Sequence, residues 1–225
     1  AAFRARSNDT FTGPRLRRRF GSARISCSSS TPAIPVVHFP PRAPLTCVLA
    51  SPTPSLLVLS LDPKCEDVLN TQANIEMTVS MVYLALHHHF AADAVSLPGL
   101  AAHFLKESEE ERAHSMKFME YQTLRGGSVQ LQSIMMPKIE FPDSPRGDAL
   151  YAMELSLALE KLNYEKLLEV HAAGEAAGDS QLMDFVESEF LEDQLNSIKE
   201  ISDWVTQLRR VGDGQGEFLF DQSLL

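Results

Sequence analysis

Residues 104–121 read FLKESEEERAHSMKFMEY, and the spacing within them decides the architecture. Taken in steps of three and four, the helical repeat selects one stripe: Leu100, Phe104, Glu107, Glu111, His114, Phe118 and Tyr121. Both ends of the stripe are apolar or aromatic, as the buried face of a helix should be. Its middle carries two glutamates and a histidine. Glu111 and His114 are three residues apart, so they leave one face of one helix.

The same anomaly recurs on three other stripes. One runs Glu76, Val79, Tyr83, Leu86, Phe90; another runs Met153, Leu157, Glu160, Tyr164, Leu167, His171. A fourth runs Met183, Glu187, Phe190, Gln194, Ile201, Leu208, with steps skipped after Gln194. The flanking residues make these core stripes, yet each holds a polar group near its middle: Glu76, Glu160 and Gln194. A buried carboxylate costs several kcal/mol unless it is paired, protonated or bound to a cation. No Lys or Arg lies on the central portion of any stripe, so the compensating charge must come from outside the sequence. Carboxylates with one imidazole suit iron, manganese or zinc better than copper(I). His87, His88 and His89 do not form such a site, because consecutive helical residues fan over about 200°. His103, His171, Trp204 and the methionines read as packing or surface residues.

The stripes belong to four long helices, over about 64–91, 98–125, 148–176 and 180–210, with a short amphipathic piece at 217–225. No segment alternates with period two, so the fold class is all-α. Short links make the first two helices, and the last two, antiparallel neighbours. Residues 126–147 separate the second from the third. Such a stretch reaches roughly 70 Å when extended, against about 42 Å for a 28-residue helix. The chain therefore predicts a four-helix bundle with one long crossover and a short fifth helix.

Residues 1–60 differ from the rest. They hold eight arginines, no lysine and one acid, Asp9, for a charge of about +7, while the whole chain is at −10. Nine serines and eight prolines complete that segment. Arg-rich, Ser-rich and acid-poor composition is that of an organelle transit peptide. Residues 1–60 thus read as a targeting segment and 61–225 as the bundle. The acidity of the whole chain argues against nucleic-acid binding. No apolar run approaches the 18–20 residues that cross a membrane. Cys27, Cys47 and Cys65 form neither a disulfide framework nor a CxxC pair.

From about residue 62 onward the sequence resembles ferritin, most of all the plastid ferritins of plants and green algae. The resemblance lies in QANIEMTVSMVYLAL (72–86), residues 104–134, GDALYAMELSLALEKLNYEKLLEVH (147–171), DFVESEFLEDQ (184–194), ISDWVTQLRRVG (201–212) and FLFDQSLL (218–225). It implies a hollow shell of 24 subunits that oxidises Fe(II) with O2 at a di-iron centre and stores Fe(III) mineral, in a chloroplast or, alternatively, a mitochondrion. By the resemblance, Glu76, Glu111, His114, Glu160 and Gln194 are the iron ligands of the ferroxidase centre and Tyr83 the tyrosine beside it. Asp184 and Glu187 match acids of the three-fold iron channels, and Glu109 and Glu110 remain of a cavity-side acidic patch that nucleates mineral. Ala113 and Met116 stand where the family often has glutamate. The helical extension that plant ferritins carry is not recognisable in residues 40–62, whereas the loop 138–146 resembles the plant form. The alternatives are a ferritin-like di-iron oxygenase, which usually carries a second ExxH, and a non-catalytic shell subunit or helical scaffold.

Overall fold

In the computed structural model the described residues are 61–134, 136, 139 and 147–225. The basic segment 1–60, and with it the transit and extension readings, lies outside them, as does all of the loop 138–146 except residue 139.

The described residues form helices and no strand. Helix α1 (Pro63–Ala91) opens with proline at its first turn, and the Asp62 carboxylate accepts the Lys64 N–H at 2.8 Å. Helix α2 (Pro98–Leu124) also opens on proline. Helix α3 (Asp148–Ala177) ends on Gly178, whose φ of 68° is left-handed and favours glycine. Asp179 then caps α4 (Ser180–Val186) by accepting the Leu182 N–H at 3.1 Å. A wider π-helical turn, Glu187–Leu191, joins α4 to α5 (Glu192–Val211) without a break, and α6 (Gln215–Ser223) closes the chain.

Side-chain pairs give the topology. Ser80 and Ser108 exchange hydroxyl-to-carbonyl bonds, and Ser115 Oγ donates to the Ala73 carbonyl at 2.7 Å. The numbers run oppositely, so α1 and α2 are antiparallel and approach closely through small residues. Helix α3 is antiparallel to α1, because Asp148 meets His89 and Cys65 meets the Ala173 carbonyl. Helices α2 and α3 are therefore parallel, so α3 begins at the opposite end of the bundle from the end of α2. The start of the crossover lies along α1, where Asn70 binds both the Ser128 carbonyl and the Gln130 N–H.

The fourth stripe departs from expectation. Met183 is half-buried and Glu187 exposed; Leu182 and Val186 are buried instead. The buried positions Val186, Phe190 and Gln194 recur every four residues, more slowly than the 3.6-residue repeat. The π turn absorbs the difference and keeps all three facing inward.

Two apolar clusters fill the bundle. One contains Tyr83, Leu86, Phe90, Phe104, Met153, Leu157 and Ile201; the other contains Leu69, Phe118, Leu167, Val186 and Phe190. On each long helix the buried polar residues Glu76, Glu111, Glu160 and Gln194 fall between them in sequence. The polar belt is thus walled by hydrocarbon on both sides.

Helix α6 is pinned by two carboxylates. Asp221 accepts the Leu100 N–H at the start of α2 at 2.8 Å, and Glu217 accepts the Ala149 N–H at the start of α3 at 2.6 Å. Each occupies the place of a missing side-chain cap on the other helix. Gly99 permits the approach, since a Cβ there would lie 2.0 Å from the Asp221 carbonyl oxygen. Gly99→Ala is expected to displace α6 and cost about 1–3 kcal/mol of stability. A thermal midpoint equal to the parent's, by circular dichroism, would show that α6 is not held this way.

Candidate metal centre

Four helical elements deliver the polar belt: α1 supplies Glu76, α2 supplies Glu111 and His114, α3 supplies Glu160, and α5 supplies Gln194. One ligand atom from each of Glu76, Glu111 and His114 lies within 4.8 Å of the others. His114 Nδ1 stands 3.7 Å from Glu111 Oε2, and neither of these buried atoms has a hydrogen-bond partner. A buried polar atom left unpaired costs about 1–3 kcal/mol. A divalent cation coordinated by both removes that cost, and it supplies the charge that the carboxylates need. The His114 ring is set edge-on to Phe190, with centroids 5.5 Å apart.

Glu160 and Gln194 complete the far side. Gln194 Nε2 donates to Glu160 Oε2, the Tyr83 hydroxyl donates to Glu160 Oε1, and Ser156 Oγ lies 3.0 Å from that hydroxyl. The five residues expected as ligands, with Tyr83, therefore meet in one belt. The compact three-ligand cluster contains only Glu76, Glu111 and His114. Glu160 and Gln194 are turned toward each other.

Burial dominates the electrostatics. It pushes Glu76 well above the carboxylate range, with repulsion from Glu111 adding to it. Burial carries Glu111 up to about 8, and Glu160 to about 7 against the opposing bonds from Tyr83 and Gln194. Burial, then the charges of Glu160 and Glu111, raises Tyr83, so the phenol keeps its proton. Among the described residues no Lys or Arg forms an ion pair with Glu76, Glu111 or Glu160.

Residues 66–211 match the family described as Ferritin-like domain. The chain belongs to the ferritin family. It is 53% identical over 174 residues to ferritin-3 of Glycine max, covering 77% of this chain and 68% of that one. It is 48% identical over 208 residues to ferritin-4 of Arabidopsis thaliana, covering 91% and 80%. Both relatives are named chloroplastic, in keeping with the plastid expectation. A crystal structure of ferritin from the multicellular green alga Ulva pertusa superposes with a TM-score of 0.73 at 47% identity, covering 78% of this chain and 90% of that one. The chain is an iron-storage ferritin subunit with the family's four-helix bundle.

The remaining ferritin positions divide by surface. Asp184 and Glu187 are exposed and lie away from the belt, about two to three turns before Gln194. His171, read from the sequence as packing or surface, bonds Glu187 Oε1 through Nε2 at 2.6 Å. Glu109, Glu110, Ala113 and Met116 are all exposed on α2. Glu107 stands 3.6 Å from His103 and is not part of the cluster of Glu76, Glu111 and His114. His103 packs edge-on to Trp204, and burial lowers its pKa to about 4, so it is neutral.

Two residues of the belt escaped the stripe analysis. Gln72 and Asn163 are fully buried and bond the Glu76 carboxylate from two sides. Their only sequence signal is register: Gln72 is four before Glu76, and Asn163 three after Glu160.

The raised carboxyl pKa values fix a pH dependence. An unfolded glutamate ionises near 4.5, whereas folded Glu111 keeps its proton to about 8. Between those values the folded state binds more protons, so metal-free stability falls as pH rises. The thermal midpoint of metal-free protein should drop from pH 5 to pH 8, and Glu111→Gln should flatten that drop. Zn(II) should raise the midpoint more at pH 8 than at pH 5, because binding at pH 5 must expel protons. Parallel pH profiles for parent and Glu111→Gln would contradict the assigned burial.

Proposed function

We propose that the belt is a ferroxidase centre that takes two Fe(II) per subunit as substrate. Oxidation by O2 follows 4 Fe(II) + O2 + 4 H⁺ → 4 Fe(III) + 2 H2O, and a 24-subunit shell in the plastid stores the product. The observation that carries this reading is the pair of buried unpartnered atoms, Glu111 Oε2 and His114 Nδ1, beside Glu76 in a site where the described residues offer no lysine or arginine.

The first Fe(II) binds Glu76, Glu111 and His114; the second binds Glu160, Gln194 and the shared Glu111. The second position is the weaker one. Glu160 must give up its bonds from Tyr83 and Gln194, and Gln194 must turn its amide to present Oε1. Gln194 is also neutral, so it adds no charge to hold Fe(III). Weak retention suits a centre that passes its product on to the cavity. Tyr83, protonated and one bond from Glu160, is placed to hold that carboxylate in position. The reading of a stable di-iron oxygenase is disfavoured because Asn163 stands three after Glu160, and Leu191 three before Gln194, where a second ExxH would place a ligand. A non-catalytic shell subunit is disfavoured because all five ligand residues are present.

Asp184 and Glu187, with His171 against Glu187, face outward where three subunits would meet. Carboxylates from each subunit there lower the local potential and concentrate divalent cations.

One experiment separates chemistry from delivery: stopped-flow Fe(II) oxidation by assembled shells. Glu111→Ala with His114→Ala should slow the initial rate about 10–100-fold at every Fe(II) concentration. Asp184→Asn with Glu187→Gln should slow it only at low Fe(II), and the deficit should shrink as ionic strength rises. A parent rate in the first double variant would refute the centre; a parent rate at dilute Fe(II) in the second would refute the channel.

A further inference from the structure

The Glu76 carboxylate is held from two helices by uncharged donors. Gln72 Nε2 on α1 donates to Glu76 Oε1 at 2.7 Å and to Asn163 Oδ1 at 2.6 Å. Asn163 Nδ2 on α3 donates to Glu76 Oε2 at 2.9 Å and makes a long contact of 3.5 Å with Gln194 Oε1 on α5. The three side chains close a ring: each carboxylate oxygen meets one amide, and the amides bond each other. Gln72 and Asn163 are each 1% exposed, so water does not compete for these bonds.

We propose that Asn163, locked by Gln72, is a positioning residue that fixes Glu76 for the first iron and ties its placement to that of Gln194 at the second. The inference rests on the two-iron reading above. The chemistry of the donors supports it. An amide N–H orients a carboxylate without placing a competing cation beside it. A lysine or arginine in the same place would compete with the metal ion. The ring also stops rotation of the carboxylate before metal arrives, which removes an ordering cost from binding. The link to Gln194 spans α1, α3 and α5, so a shift of Glu76 on binding the first ion reaches the amide that serves the second. If Asn163 served only to satisfy a buried polar cluster, an apolar residue of similar size would leave cation affinity unchanged.

The test is anaerobic titration of assembled metal-free shells with Co(II), followed by its visible absorption. Asn163→Leu should weaken the first Co(II) about 10-fold or more, the usual effect of removing a bond to a metal ligand. It should also alter the band shape, which a merely structural role would not move. Gln72→Leu removes the other arm of the ring and should do the same, and it stands in if Asn163→Leu does not fold. Folded variants with parent affinity and parent spectrum overturn the proposal. Glu111→Ala is titrated alongside. Should it lose Co(II) while Asn163→Leu does not, only the clamp fails; should it too bind as the parent does, the centre itself is misassigned and the clamp falls with it.

Discussion

The structure depends on one constraint: three carboxylates, Glu76, Glu111 and Glu160, are buried in a helical bundle whose described residues offer them no lysine or arginine. Their desolvation exceeds what neutral hydrogen bonds return. Without a cation, protons must take up the difference, and the raised carboxyl pKa values record this. The arrangement is poor as a stability device and effective as a trap for a divalent ion. Apolar clusters on both sides exclude water from the belt and strengthen every charge interaction within it.

The rest of the fold holds this belt in register. Paired serines let α1 and α2 approach, which brings Glu76 beside Glu111 and His114. The parallel course of α2 and α3 requires the crossover and sets Glu160 opposite Glu111. The π turn lets one continuous rod present Glu187 to solvent and Gln194 to the interior. Polar but uncharged neighbours then finish the site: Tyr83 and Gln194 on Glu160, Gln72 and Asn163 on Glu76. Charge is left for the substrate to supply.

Most of this was legible in the sequence because buried helical positions recur with a fixed period. Glu76, Glu111, His114 and Glu160 stood out as polar residues on otherwise apolar stripes, and loop lengths gave the topology. The fourth stripe was misread before Phe190. A π turn has no composition of its own and reveals itself only as a drift in spacing, so Glu187 was placed inward although it is exposed. Gln72 and Asn163 went unseen for a different reason. A lone amide is common on any helix, and its meaning here comes from a partner on another helix at 2.6 Å. His171 was likewise defined by Glu187, sixteen residues on, a relation no local pattern carries.

The central claim is that the buried acidic belt, rather than the exposed acids of α2 or α4, is where iron is first held and oxidised. Anomalous X-ray scattering from crystals of the shell, soaked anaerobically in Fe(II), tests it most directly. The account predicts a strong peak in contact with Glu76, Glu111 and His114, and a weaker one between Glu111, Glu160 and Gln194. Peaks confined to Asp184, Glu187, Glu109 or Glu110, with none inside the bundle, would contradict it.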